Sequence, residues 1–193
     1  MGEPGRLYRL AWGLYMAMAL GGILWVGTRQ GVIPVRLFFD PRRWWLDLAL
    51  GIGAGGLLLG IWKLAEVAFP LARQLEGQLA DLLGPLTPSE VIALALLSGV
   101  AEELFFRGAV QGAVGWIPAS LLFALLHTGP GPAFRLWAVF AALAGLLLGA
   151  LMMWRGNLLG PILAHSLING VNLWRLADSA RLARGQTEGE KES

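Results

Sequence analysis

The sequence predicts an all-α fold, a polytopic membrane helical bundle of about six transmembrane helices plus one amphipathic interfacial helix. Three observations predict it. Hydrophobic residues make up 56 % of the 193 and charged residues only 15 %, against roughly 25 % charged in a soluble domain. Several apolar runs reach the length of about 18 residues at which a helix spans a bilayer. One further segment, 71–86, has a leucine stripe on one side and charges on the other, the mark of a helix that lies along an interface. The whole chain, 1–193, reads as a single membrane domain.

Composition also removes whole classes of function. There is no cysteine, so disulfides, thiolate metal sites and a cysteine nucleophile are excluded. The formal net charge is only +2, and no basic block rises above ordinary membrane-flanking arginine. No nucleic-acid partner is implied; the lipid bilayer is.

The elements follow in order. A first span covers Tyr8 to Thr28. Arg6 and Arg9 precede it as in a signal peptide, but the hydrophobicity continues well past the A-x-A triplet at Ala17 to Ala19, so it reads as a retained helix. Residues 29–43, with Arg29, Arg36, Arg42 and Arg43 and two prolines, form a loop. A second span covers Trp44 to Phe69, and its pairs Gly51/Gly55 and Gly56/Gly60 allow close helix packing. In 71–86, Leu71, Leu75, Leu79, Leu82 and Leu86 make the apolar stripe, while Arg73, Glu76 and Asp81 lie off it. Thr87, Pro88 and Glu90 then form a capping box with proline in the first turn, so a third span starts at Pro88 and runs to Gln111.

A fourth run starts at Trp116 and stops at the GPGP of 129–132. At 1.5 Å per residue its dozen or so residues cover about 18 Å, less than the roughly 30 Å hydrocarbon core. It must end inside the membrane. Irregular backbone at that depth needs protein or a wet cavity around it, which predicts a crater beside His127. A fifth span covers Ala133 to Trp154, with Ala141, Gly145 and Gly149 on one face. A sixth covers Asn157 to Leu176. The polar, glycine- and glutamate-rich tail, 178–193, reads as disordered.

Ionisable groups inside spans are costly and mark functional sites by default. The short list is Glu102, Glu103, Arg107, His127 and His165, joined by the amides Asn169 and Asn172. Glu103 and Arg107 are four apart and can pair on one helix face. Glu102 is rotated about 100° away from Glu103 and points elsewhere. His165 and Asn169 share a face that Asn172 extends. Counting from the third-to-fourth connection at 1.5 Å per residue, Glu102, His127 and His165 come to depths of about 14, 15 and 12 Å. Three helices thus bring polar groups to one level.

A carboxylate and two imidazoles in a wet intramembrane pocket suit activation of water. Glu102 would be the general base and His127 would share the water. His165 and Asn169 fit stabilisation of the oxyanion of a tetrahedral intermediate. The reaction would be peptide hydrolysis without a covalent intermediate and without a cofactor or metal. Two rival readings use the same residues. Glu102, His127 and His165 also form a two-His, one-Glu zinc ligand set, although no H-E-x-x-H motif is present. In the other rival reading the cluster only locks helices or binds a peptide, in a non-catalytic scaffold or immunity-type binding protein. Asp47 lies at a span end, which disfavours an aspartyl dyad. A serine nucleophile would have to be Ser98 or Ser166; Ser98 lies one turn before Glu102, but no strong base is in sequence register with it.

EELFFR at 102–107, FALLH at 123–127 and HSLIN at 165–169 follow an EExxxR, FxxxH, HxxxN pattern in order. Over 87–175 the chain resembles the CPBP family, the CAAX-protease and bacteriocin-processing (ABI) group that includes the type II CAAX prenyl endopeptidases. The resemblance implies an all-helical intramembrane glutamate-type endopeptidase. In it Glu102 activates water, His127 is its partner, and His165 and Asn169 are the oxyanion pair. Glu103, Arg107 and Phe123 complete the motifs in support. The implied partner is a peptide or membrane-protein substrate, lipidated substrates included, and the implied location is a prokaryotic cell membrane. The side holding Arg6, Arg9, Arg73, Arg135, Arg175, Arg181 and Arg184 carries the larger arginine excess, so the positive-inside rule makes it cytoplasmic. The crater opens toward it.

Overall fold

The computed structural model describes residues 6–192, with side chains described over 7–182. Among the described residues eight α-helices follow one another: α1 (Arg6–Gln30), α2 (Trp44–Ala68), α3 (Pro70–Leu83), α4 (Pro88–Glu103), the short α5 (Gln111–Val114), α6 (Trp116–Leu126), α7 (Pro132–Arg155) and α8 (Leu159–Glu192). There is no strand among the described residues. Three helices, Leu7–Gln30, Trp44–Ala68 and Pro132–Arg155, are long and apolar enough to cross a membrane by length and composition. Their outward faces present large apolar side chains such as Leu24, Ile52, Leu64 and Met153. The fold is that of a helical membrane bundle. By the same measure α8 does not stand out, because His165, Asn169, Asn172 and Arg175 dilute its apolar content.

α8 is the central post. It packs between α2 and α4, while α6 and α7 form a hairpin beside it and α1 covers α4. Glycines set the closest approaches. A Cβ on Gly51 would come within 2.7 Å of Gly160 O, and one on Gly55 within 3.2 Å of Ala164 Cα. The Gly51/Gly55 pair is therefore the seat of α8 on α2. Gly56 and Gly60 have no neighbour within 4 Å of such a Cβ. Their expected packing role does not materialise, because they lie on the opposite face of the helix. Gly145 sits against Ser120, and Gly149 against Trp116 and Gln111, so the small-residue face of the fifth span receives α6.

The capping box at Thr87 and Glu90 is formed in both directions. The helix it starts departs from expectation further on. From Leu104 to Val110 the backbone is π-helical, and the Gln111 N–H reaches back five residues to Phe106 O. Such wide turns tend to occur at functional sites. The sequence carries no local signal for this one.

In α3 the buried residues are Ala72, Leu75 and Ala80, whereas Leu82 is exposed. The five-leucine stripe therefore does not all face the bundle. The tail also departs from expectation. α8 continues as helix through Glu192, and Ala180 packs with Ala80 and Leu176. Arg181 bonds both Leu86 O and Asp178. These contacts extend order past the point where composition alone predicts disorder.

Charged clasps hold the two ends. At one end Asp47, fully buried, accepts from Arg155 Nε and, at 3.0 Å, from Asn157 Nδ2. At the other, Glu66 accepts both prongs of Arg175 at 2.7 and 3.0 Å and Lys63 Nζ at 2.9 Å. Lys63 and Glu66 lie inside the second span, and the short list of intramembrane ionisable groups omits them. A charge near a span end that pairs with another helix carries no distinguishing mark in one sequence.

Candidate active site

Three helices bring polar groups to one cavity of about 490 Å³, within the range of ordinary ligand pockets. α4 brings Glu102 and α8 brings His165 and Asn169. α6 ends at His127, which caps it with φ −95° and ψ 11°. Glycines with positive φ, Gly115 and Gly131, bracket α6 and let the chain turn sharply at both ends. The 11 residues of α6 reach only about 16 Å at 1.5 Å per residue, and His127 at its end lines the cavity. The rim includes exposed leucines from three helices, Leu14, Leu82 and Leu126.

Glu102 and His165 are each only 6 % exposed. Glu102 Oε2 lies 3.9 Å from His127 Nε2 and 3.8 Å from His165 Nε2. These distances are too long for direct hydrogen bonds, and Oε2 has no protein partner. The three groups face one another at one level, as the depth count requires. Two separate anchors fix the imidazoles. His127 Nδ1 is 2.8 Å from Phe123 O. A carbonyl only accepts, so Nδ1 carries the proton and Nε2 of the neutral ring is an acceptor aimed into the cavity. Phe123 and Trp137 hold that ring, with centroids 4.4 and 5.2 Å away. His165 Nδ1 is 2.7 Å from Glu103 Oε1.

Glu103 is fully buried. Its Oε1 also accepts from Arg107 at 2.8 Å, and Arg107 in turn stacks over the Phe123 ring at 4.4 Å. The expected Glu103–Arg107 pair exists. It is half of a larger arrangement, because Glu103 also orients His165. That link joins residues 62 positions apart, and helical spacing cannot reveal it. Asn169 lines the cavity and donates to Ser98 Oγ at 2.8 Å, and Asn172 lines the cavity too. Tyr15 of α1 lines it as well and places its phenol beside Glu102. Nothing in the motifs marks Tyr15; its i, i+3 and i+4 neighbours are simply apolar. Among the described residues no group of three or more His, Cys, Asp or Glu is arranged to hold a metal ion.

Residues 84–171 match the family model "Type II CAAX prenyl endopeptidase Rce1-like". A stretch of 86 residues is 41 % identical to the uncharacterized protein YpbD of Bacillus subtilis (strain 168), and it covers 42 % of this chain and 42 % of that one. The match thus spans well under two thirds of that relative. No solved structure matches. Glu102, Glu103, Arg107, Phe123, His127, His165 and Asn169 all fall inside the matched segment, and Tyr15 falls outside it. Over residues 84–171, somewhat less than half of its length, the chain is similar to the Rce1-like family of type II CAAX prenyl endopeptidases.

Proposed function

We propose that the chain is a multi-pass intramembrane endopeptidase that hydrolyses a peptide bond with water activated by Glu102. The observation that carries this reading is the convergence of Glu102 Oε2 on the Nε2 atoms of two histidines from two other helices, at 3.8 and 3.9 Å. Two acceptors, Glu102 Oε2 and His127 Nε2, are spaced to take both protons of one water between them. That orients a water lone pair toward a substrate carbonyl. Glu102 takes one proton as the water oxygen bonds to the carbonyl carbon. The C–N bond then breaks, and Glu102 returns that proton to the departing amine.

The oxyanion faces α8. Asn169 Nδ2 offers it an N–H, and His165 does so from Nε2 in its imidazolium form, the form with a proton on both nitrogens. Glu103 holds that ring through Nδ1, and Arg107 balances the carboxylate. No metal enters this scheme.

The substrate is a peptide or membrane protein, and the leucine rim suits an apolar segment. In a six-span reading with the arginine-rich side cytoplasmic, the cavity mouth would open toward the cytoplasm of a prokaryotic cell. The test is cleavage of a peptide and membrane-protein library by purified protein in the presence of a strong chelator, read by mass spectrometry. Cleavage in a metal-free sample supports the reading. Cleavage abolished by the chelator and restored by zinc replaces it with the zinc hydrolase, and no cleavage at all favours the scaffold. Matched prenylated and unprenylated peptides in the library decide whether lipidation is required.

A further inference from the structure

We infer that Ser98 is a positioning residue that sets which way the Asn169 amide faces, and this rests on the peptidase reading above. Ser98 is 2 % exposed and lies on α4 one turn before Glu102, lining the same cavity. Its Oγ is 3.3 Å from Ala95 O and 2.8 Å from Asn169 Nδ2. A serine hydroxyl has one proton and two lone pairs. A backbone carbonyl can only accept, so the Ser98 proton goes to Ala95. Toward α8 the hydroxyl presents lone pairs alone.

That fixes the neighbour. An asparagine side chain can turn over and exchange Oδ1 for Nδ2. Facing a lone pair, only the Nδ2 end is tolerated. One Nδ2 proton is then held by Ser98, and the second stays on the cavity side, where an oxyanion would form. An amide turned the other way would offer the oxyanion a repelling Oδ1. The arrangement also removes Ser98 as a nucleophile, since its proton is committed to a carbonyl and a lone pair accepts from the Asn169 amide.

The backbone approach that permits this bond comes from the next residue. A Cβ on Gly99 would stand 3.0 Å from Ser166 N and 3.2 Å from Ser166 Cα, so α4 and α8 meet there nearly backbone to backbone. A 2.8 Å side-chain bond one residue away follows from that contact.

The experiment is a four-protein cycle of wild type, Ser98→Ala, Asn169→Ala and the double variant, read twice. In steady-state cleavage, Asn169→Ala is expected to lower kcat by about 10²-fold, as loss of one oxyanion donor does. Ser98→Ala should lower kcat by about 10-fold with KM within about twofold, a small share of that donor's effect. Adding Ser98→Ala to Asn169→Ala should then change kcat by less than about twofold, because coupled residues are not additive. In thermal unfolding, which needs no substrate, the two single losses in Tm should be less than additive. Equal kcat losses from Ser98→Ala in both backgrounds, or additive Tm losses, overturn the inference while leaving the peptidase reading intact. A silent Asn169→Ala overturns the oxyanion assignment and this inference together.

Discussion

Glu103 Oε1 accepts hydrogen bonds from Arg107 at 2.8 Å and from His165 at 2.7 Å. One buried carboxylate oxygen thus joins a structural cation to a ring of the site. Helix spacing alone assigns Glu103 to Arg107 and to folding, and the His165 contact ties it to the candidate site as well. Removing one partner of a buried ion pair typically costs about 3–5 kcal/mol, because the other charge is left unpaired. Arg107→Ala should therefore lower stability by that order in detergent unfolding. Glu103→Gln should lower kcat as well, by about 10–100-fold, the usual scale for losing an orienting outer-shell partner.

His127 stands at the end of a helix with its side chain 19 % exposed, packed on Phe123 and Trp137 and bonded to Phe123 O. His127→Ala should cost no more than about 1–3 kcal/mol of stability, the scale of one lost side-chain hydrogen bond. In peptide cleavage it should lower kcat by about 10²–10⁴-fold, the scale of a lost acid–base partner. A large drop in stability with unchanged kcat would assign His127 to structure.

Gly99 and Gly56 make a matched pair of tests. Gly99→Ala should push α4 from α8 and cost about 1–3 kcal/mol, as overpacking does. Activity should fall too, because Glu102 and His165 ride on those two helices. Gly56→Ala meets nothing within 4 Å and should be neutral or stabilising by up to about 1 kcal/mol through helix propensity. Unfolding midpoints of the two variants in one detergent decide this.

Asp47 anchors Arg155 and Asn157 at the end of the bundle away from the cavity mouth. Asp47→Ala leaves a mostly buried guanidinium with only Asp40 at 3.8 Å. A stability loss of about 3–5 kcal/mol follows. Cleavage per folded molecule should stay near wild type, measured after removal of unfolded material.

What was legible in the sequence was what local rules fix. The capping box at Thr87 and Glu90, the short α6 and the common depth of Glu102, His127 and His165 all follow from counting along one helix at a time. What was not legible depends on helices meeting. His165 finds Glu103 across 62 positions, Asn169 finds Ser98 across 71 and Asn157 finds Asp47 across 110. Each pairing is decided by packing, not by spacing. The π-helical turn at Leu104–Val110 is invisible for a related reason: Gly108 is its one weak helix former, and a lone glycine within a helix does not specify a wide turn. Tyr15 is hidden because α1 lies outside the motif-bearing stretch and reaches Glu102 only through tertiary packing.

The most direct test of the central claim is Glu102→Gln. Glutamine keeps the shape and volume of the side chain but cannot take a proton from water. The cleavage rate of a defined substrate should fall by about 10²–10⁴-fold, with an unfolding midpoint and substrate binding close to wild type. Wild-type cleavage by Glu102→Gln would contradict the account.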